Sequence, residues 1–393
     1  MESIWQGSGV TRITHSAEES DLFDLACTFA VKELDPIVDA YERQGLFPRE
    51  VFRSLGATGL LTLPFAHVIN SDTSRIPYRV SLQVLEEIAR SWLTVAVSIS
   101  VHNLACSPIL NFGTPSQKAL WTEWILGGES LGAYCLSEPQ SGSDAGALQM
   151  TATKEGDSYL LNGTKAWITH GGVADFYTVF ARTGPEKVSG ISCFFVPANT
   201  PGLVADQPES KMALNSSPTA QIRFDNVRVP TENRIGEEGE GYSIALASLD
   251  VGRLGIAACA VGIGQAALDL AANYSRQRHA FGKPIGDFQG VSFMLADMAT
   301  SIQASRSLYL EAARLNDLNG SVSSLAAMSK LLSTDSCMKV TTDAVQVLGG
   351  NGYTSDYRAE RFMREAKVLQ IVEGTNQIQR LVIARELERS IEK

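Results

Sequence analysis

Hydrophobic and polar positions along this chain change their period twice. From residue 16 to about residue 130 the apolar residues fall at helical spacing. Leu22, Leu25, Phe29 and Leu34 form one stripe, and residues 80–105 form a long apolar segment. Ser16-Ala-Glu-Glu19 has the pattern of a capping box, Pro48 precedes a helical run, and Thr114-Pro-Ser-Gln117 predicts a helix start with proline in first position. Pro36 either kinks the first stretch or sits in the first turn of a following helix. Residues 63–79, LPFAHVINSDTSRIPYR, are irregular and polar, which predicts a loop. From about 131 to 240 the period becomes two. ATKEGDSYLLNGTKAWIT predicts strands around turns at Glu155-Gly-Asp and Asn162-Gly, and DFYTVFART, ISCFFVPA and AQIRFDNVRVP predict further short strands. Beyond 241 the pattern is helical again. Ala and Gly at close spacing over 244–275 suit tightly packed helices, and 287–317, 322–348 and 376–391 continue the pattern.

The order helices, strands, helices predicts an α+β chain rather than a doubly wound sheet. The domains it predicts are a helical one (1–130), a small antiparallel β domain (131–240) and a second helical one (241–393). GIGQAA, residues 262–267, matches the dinucleotide fingerprint G-x-G-x-x-A. That fingerprint has meaning only after a strand. Here an Ala-rich helical run precedes it and Leu270-Ala-Ala-Asn-Tyr follows, so the glycines predict helix packing.

Composition narrows the class. The chain has 393 residues, enough for two or three domains and a sizeable core. Its net charge of −10 argues against nucleic acid or anionic membrane as main partner. Six scattered cysteines without a CxxC predict reduced thiols in a reducing compartment. The N-terminus lacks the basic and apolar regions of a secretory signal, and no run reaches the roughly 18 apolar residues of a membrane span. The expected setting is the cytoplasm, or the mitochondrial matrix for a processed organellar protein. The histidines show neither HxH nor HExxH spacing, so metal catalysis has no support.

Five stretches carry candidate chemistry. YCLSEPQSGSDAGA (134–147) is rich in hydroxyls and backbone N–H groups, and reads equally as a cradle for a polar ring edge or phosphate and as an ordinary turn. KAWITHGG (165–172) puts Trp167 and Thr169 two apart, suited to a flat heteroaromatic ligand or to a core tryptophan. RQRHAFGKPIGDFQG (276–290) clusters cations at a helix end, where they either offset the helix dipole or bind pyrophosphate. Gly349-Gly350-Asn-Gly352 exceeds the one glycine a helix C-cap needs. QIVEGTNQIQR (370–380) places Glu373 after Ile371 and Val372 and follows it with glycine.

Together these stretches, in order and spacing, resemble the acyl-CoA dehydrogenase family, and specifically its short-chain, butyryl-CoA dehydrogenase-like branch. The resemblance runs from about residue 16 to 390. It rests on YCLSEPQSGSDAGA, LNGTKAWIT, LDVGRLGIA, RHAFGKPI, QVLGGNGY and EGTNQIQRLVIAREL. It implies a helical N-terminal domain, a β middle domain and a C-terminal four-helix bundle in a homotetramer, with FAD between the β domain and the bundle and reaching a neighbouring subunit. Tyr134, Leu136, Ser137, Gly142 and Ser143 then match the loop along the flavin, and Trp167, Ile168 and Thr169 flank its ring. Arg278, Phe281, Gln289, Gln346, Gly349 and Gly350 match the positions around pyrophosphate and adenosine, and Thr375 and Gln377 complete the cofactor site. Ser143, Asp250, Arg253 and Gly374 match positions touching acyl-CoA.

In this resemblance Glu373 falls on the base that removes the α-proton while hydride leaves the β-carbon. A carboxylate suits that task in a dry pocket, where desolvation raises its pKa. Some branches place the base at the third position of LD-x-x-R, which here is Gly252, so Glu373 is the single candidate. An electron-transfer flavoprotein is the implied acceptor. His102, Asn103 and Leu104 either close the pocket floor or pack a helix face, and the expected preference is for C4–C6 acyl-CoA. Two departures stand out: AHVINSDTSRIPYR replaces an acidic Gly-Gly loop near the acyl-CoA entrance, and His170 replaces a common Asn, either lining the flavin edge or capping a turn. An oxidase, a dehydrogenase of carrier-bound acyl groups and a non-catalytic flavin-binding member are the competing readings.

Overall fold

The computed structural model describes residues 12–65, 68 and 76–391. Packing divides the chain into two compact units, one of residues 39–76 and 97–252, the other of residues 1–38, 77–96 and 253–393. The helical N-terminal stretch therefore contributes to both.

The first unit is built on one sheet. Its strands are β1 (Gly132–Cys135), β2 (Thr151–Glu155), β3 (Ser158–Thr169), β4 (Phe176–Arg182), β5 (Ile191–Pro197), β6 (Leu203–Ala205), β7 (Thr219–Pro230) and β8 (Arg234–Ile235). Their order is β6-β7-β3-β2-β4-β5-β8, with β1 beside β4. Pairing is mostly antiparallel, but β1 runs parallel to β4 with Gly132 opposite Phe176. Strands β4 and β5 are buried on both faces, which is why their sequences are nearly continuous apolar runs. Phe176, Phe180, Cys193 and Phe195 pack on one face with Ala105, Ile109, Trp121 and Ile125, and Trp121 stacks on Phe195 at 4.3 Å. Tyr177, Val179, Phe194 and Val196 line the other face with Tyr159, Leu161 and Ile222.

Several sequence expectations need correction. Asn162-Gly163 is not a turn: β3 runs through it, with a register shift between Leu161 and Gly163. Gly163 has φ +145, and a Cβ there would meet Met150 at 2.8 Å, so glycine serves a bulge against a neighbouring strand. The apolar segment 80–105 is two helices, Tyr78–Ser91 and Leu93–Phe112, separated by extended backbone at the buried Trp92. Ser16 caps its helix through the Glu19 N–H at 3.2 Å, but Glu19 bonds the His15 N–H and Arg79 instead of closing a box. Pro36 lies in the turn between a π-helical stretch, Ala30–Leu34, and the helix Val38–Gln44. Helices Leu93–Phe112 and Gly241–Gln277 do reach membrane-spanning length and apolarity, with mean hydropathy 1.5 and 1.7, yet 89% and 72% of those windows are buried within the protein. Thr114 starts its helix as expected, with proline in the first turn, and also forms a reciprocal box with Gln117. Of the loop expected at 63–79, Leu63–Phe65 is a short 3-10 turn and Tyr78 already starts a helix, while 66–67 and 69–75 lie outside the described residues.

In the second unit the helices Gln289–Asp317, Ser323–Leu348, Ala359–Leu369 and Asn376–Ile391 pack with Tyr78–Ser91 and the stretch of Gly241–Gln277 beyond Arg253. GIGQAA lies inside that last helix, as expected. A Cβ at Gly262 would lie 2.3 Å from the Glu86 carbonyl, and one at Gly264 2.3 Å from Ile302 Cδ1. Both glycines serve close helix contact, and no room for a phosphate exists there.

Candidate active site

Two stretches of the sheet unit come together. The buried Lys165 donates to the Leu136 carbonyl at 3.0 Å and to Glu138 at 2.8 Å, and the Ala166 N–H donates to the Ser137 carbonyl at 2.9 Å. Glu138 also accepts the N–H groups of Gln149 (2.6 Å) and Met150 (3.0 Å). Burial would raise its pKa, but Lys165 and these N–H groups outweigh that and hold Glu138 below the usual carboxylate range. The loop Leu136–Ser143 is thereby fixed against the end of β3. Leu136 is buried, Ser137 half-buried, and Gly142 and Ser143 are exposed. Tyr134 on β1 packs against Phe180 at 5.1 Å. Trp167 sits at a second bulge, between the pairs Lys165–Ile222 and Ile168–Ala220, and is 64% exposed. Ile168 points into the core, so only its backbone faces outward, and Thr169 is half-buried.

His102 and His170 serve the core of this unit. The Gly132 N–H donates to His102 Nδ1 at 3.0 Å, and His170 Nδ1 meets the Gly132 carbonyl at 2.8 Å, so two rings clamp one residue of β1. Both rings are fully buried, and His170 spends Nδ1 on β1 rather than on its own turn. Burial pushes the His102 pKa down to about 3 and that of His170 down to about 4.

The helical unit carries the remaining positions except Asp250. After the helix ending at Gln277, His279–Ala280 and Lys283–Pro284 form a hairpin whose two loop residues, Phe281 (φ +50) and Gly282 (φ +84), match a type I′ turn. Phe281 is 96% exposed, and Arg278, Gln289, Gln346, Gly349 and Gly350 are also exposed. Asn351 donates to Tyr274 Oη at 2.8 Å, and the Arg278 N–H donates to the Tyr274 carbonyl, so the glycine stretch and the segment carrying Arg278 share one anchor. Asp250 and Arg253 lie one turn apart on Gly241–Gln277, with Arg253 buried.

Glu373 lies in the segment between helices Ala359–Leu369 and Asn376–Ile391. It has φ +51, and Gly374 has φ +89. A glutamate in the left-handed region is strained and persists only where its surroundings hold it. Those surroundings are visible. Gln379 Nε2 donates to the Gly374 carbonyl at 2.8 Å and to the Glu373 carbonyl at 3.3 Å. Lys330 Nζ donates to the Gly374 carbonyl at 3.0 Å and to Asn376 Oδ1 at 2.9 Å. Asn376 also donates to Asp335 at 2.7 Å, and Thr375 caps the last helix through the Ile378 N–H at 3.4 Å. Gln377 is exposed.

Although Glu373 as a residue is only half-buried, both its carboxylate oxygens are buried and neither has a hydrogen-bond partner among the described residues. Burial raises its pKa to about 7, with Lys330 and Arg253 pulling in the other direction. Such a carboxylate is poised to take a proton. Of seven described non-glycine residues with positive φ, three are expected site residues: Trp167, Phe281 and Glu373. Sequence reasoning missed Lys165, Glu138, Lys330, Asn376 and Gln379. Their signal is a polar side chain inside an apolar stretch, which has many structural explanations.

Comparison with known proteins identifies the family. The family descriptions "Acyl-CoA dehydrogenase, N-terminal domain", "middle domain" and "C-terminal domain" match residues 16–129, 133–227 and 239–388. An acyl-CoA dehydrogenase of Bacillus subtilis (strain 168) is 44% identical over 361 residues, covering 91% of this chain and 95% of the relative. The mitochondrial short-chain specific acyl-CoA dehydrogenase of Rattus norvegicus is 43% identical over 364 residues, covering 92% and 88%. The structure of butyryl-CoA dehydrogenase from Megasphaera elsdenii superposes with a TM-score of 0.93 at 39% identity, over 96% of this chain and all of that one. The FAD complex of PigA superposes with a TM-score of 0.91 at 29% identity, over 96% and 99%. The chain belongs to the acyl-CoA dehydrogenase family, and is an oxidoreductase of that family with its three-domain fold.

Proposed function

We propose that this enzyme converts a short-chain acyl-CoA to the trans-2-enoyl-CoA, with Glu373 as the base. The observation that carries this is the Glu373 carboxylate, buried and without a hydrogen-bond partner among the described residues, in a left-handed turn. It takes the α-proton and becomes the neutral acid that a dry pocket favours. The electron pair of the α C–H bond forms the new double bond as hydride departs from the β-carbon. We assign the backbone N–H of Glu373 to the thioester oxygen, where negative charge develops. Gly374 keeps the approach open, since a Cβ there would already lie 2.9 Å from Gln379 Nε2.

The cofactor is FAD, and this chain's residues fit it. Side chains at Gly142, Gly349 and Gly350 would meet nothing within 4 Å, so these positions leave room for a ligand. Trp167 and Phe281 are held outward by strained backbone. We assign Tyr134, Leu136, Ser137, Gly142, Ser143, Trp167, the Ile168 backbone, Thr169, Thr375 and Gln377 to FAD, with Arg278, Phe281, Gln289, Gln346, Gly349 and Gly350 around its pyrophosphate and adenosine. Ser143, Asp250, Arg253 and Gly374 are assigned to the acyl-CoA. Bound FAD supplies the acceptor for the hydride. A homotetramer that passes electrons to an electron-transfer flavoprotein in the cytoplasm completes the reading, supported by family membership and by six free cysteines.

Glu373→Gln tests the base. The variant should fold, retain FAD and bind acyl-CoA, yet anaerobic flavin bleaching should slow by about 10²–10⁴-fold or more. Near-normal bleaching would place the base elsewhere. kcat/KM for saturated C4 to C16 acyl-CoAs and for isobutyryl-CoA tests the substrate. Butyryl-CoA should lead, and each methylene that no longer fits should cost about 1–3 kcal/mol. A maximum at isobutyryl-CoA or at long chains would refute the short linear assignment.

A further inference from the structure

We propose that Lys330 is a positioning residue for the reaction: its buried ammonium holds the Glu373–Gly374 turn in its left-handed conformation and supplies the positive charge beside the base. The inference rests on the assignment of Glu373 above. Lys330 lies about two turns into the helix Ser323–Leu348 and is fully buried. Its two hydrogen-bond partners among the described residues are neutral oxygens, the Gly374 carbonyl at 3.0 Å and Asn376 Oδ1 at 2.9 Å. One residue of the gripped turn is the base and the other is the glycine expected at the thioester.

The same helix face adds Thr334, whose Oγ1 contacts Asn376 Oδ1 at 3.2 Å, and Asp335, which accepts from Asn376 Nδ2 at 2.7 Å and from Gln370 Nε2 at 2.7 Å. Arg380 pairs with Asp335 at 3.0 Å. Asn376 is therefore fixed from both ends of its amide, and its oxygen is presented to Lys330. A buried ammonium that had paired with Glu373 would have quenched the base. Engaged by neutral acceptors, it stabilises the ionised carboxylate without a hydrogen bond to it.

The charged and titratable groups facing Glu373 are Lys330 and Arg253, with Tyr78 and Cys259 also within its field. Asp335 acts on Lys330 from its own helix. Burial lowers the Lys330 pKa to about 8, so the ammonium form predominates at neutral pH. Removing that charge leaves Arg253 as the remaining cation among these groups, and the carboxylate becomes harder to ionise.

The test is the pH profile of anaerobic flavin reduction by butyryl-CoA in the FAD-loaded enzyme, for wild type, Lys330→Met and Asn376→Asp. Asn376→Asp keeps the shape, gives Lys330 an anionic partner that offsets its field and sets a second carboxylate against Asp335, and both changes push the Glu373 pKa the same way. In both variants the inflection should move up by about one pH unit, which lowers the rate near neutral pH up to about tenfold. FAD content should stay at the wild-type level.

A second measurement needs no turnover. Glu373 has a folded-state pKa above its unfolded value, so ionising it costs stability as pH rises from about 4.5 to about 7. The urea midpoint of Glu373→Gln minus that of Glu373 protein should grow over that window and then level. In a Lys330→Met background the growth should continue to higher pH. An unmoved inflection in a folded, flavin-loaded variant, or an unmoved stability window, overturns the proposal. So does failure of both variants to fold, which would make Lys330 a purely structural group. If wild type is not bleached by butyryl-CoA, or Glu373→Gln still is, the function above fails, and the stability window still decides the role of Lys330.

Discussion

Each unit of this molecule buries a lysine completely, and the two are used in opposite ways. Lys165, in the sheet unit, meets a carboxylate at 2.8 Å, and Glu138 has further N–H donors on both oxygens. Lys330, in the helical unit, meets two neutral oxygens while the carboxylate within its field has no hydrogen bond among the described residues. The first arrangement makes an inert strut that fixes a loop. The second, on the role proposed for Glu373, keeps a base reactive. Burial of a charge does not by itself reveal function; what the charge is paired with does.

The largest expected effect comes from breaking the strut. Glu138→Leu leaves Lys165 buried without its counter-ion and should destabilise the sheet unit by about 3–5 kcal/mol, whereas Glu138→Leu with Lys165→Met should recover most of that. Urea midpoints of the two proteins check it. Lys330→Met should cost less, about 1–3 kcal/mol, because it strands only neutral acceptors. If the two single variants cost the same, the contrast between the lysines is wrong. Gly374→Ala sharpens the comparison further. With φ +89 and Gln379 Nε2 only 2.9 Å from the new Cβ, it should cost about 1–3 kcal/mol of stability while lowering kcat, with FAD content unchanged.

Much of this was readable in the chain. Glu373 was found because a carboxylate between an apolar pair and a glycine fits a specific motif. The sheet was found because β3 and β7 alternate. Lys330 was not found: in SLAAMSKLLSTDSC it looks like one polar residue on an amphipathic helix, and only packing shows that its face is buried. Asn162-Gly163 looked like a turn because local turn chemistry is also bulge chemistry, and pairing with β7 decides between them. Trp92 gave no sign of a helix break, having neither glycine nor proline beside it. The left-handed backbone of Glu373, Trp167 and Phe281 is invisible to pattern reading, since none of these residue types favours it.

The imidazole clamp on Gly132 has a consequence for life in acid. His102 accepts a hydrogen bond at Nδ1, and His170 has a buried Nε2 without a partner, so the fold admits both rings only in neutral form. In the unfolded chain both ionise near their ordinary pKa of about 6.5, against about 3 and about 4 when folded. Unfolding below that point takes up close to two protons. The stability these rings contribute is complete above about pH 6.5 and drains away as pH falls, at up to about 2.7 kcal/mol per pH unit between roughly pH 5.5 and 4.5. An acid titration of wild type against His170→Asn should show the variant losing stability less steeply. Mild acidification would thus unfasten the sheet at its first strand, at a point chosen by solvent protons rather than by heat.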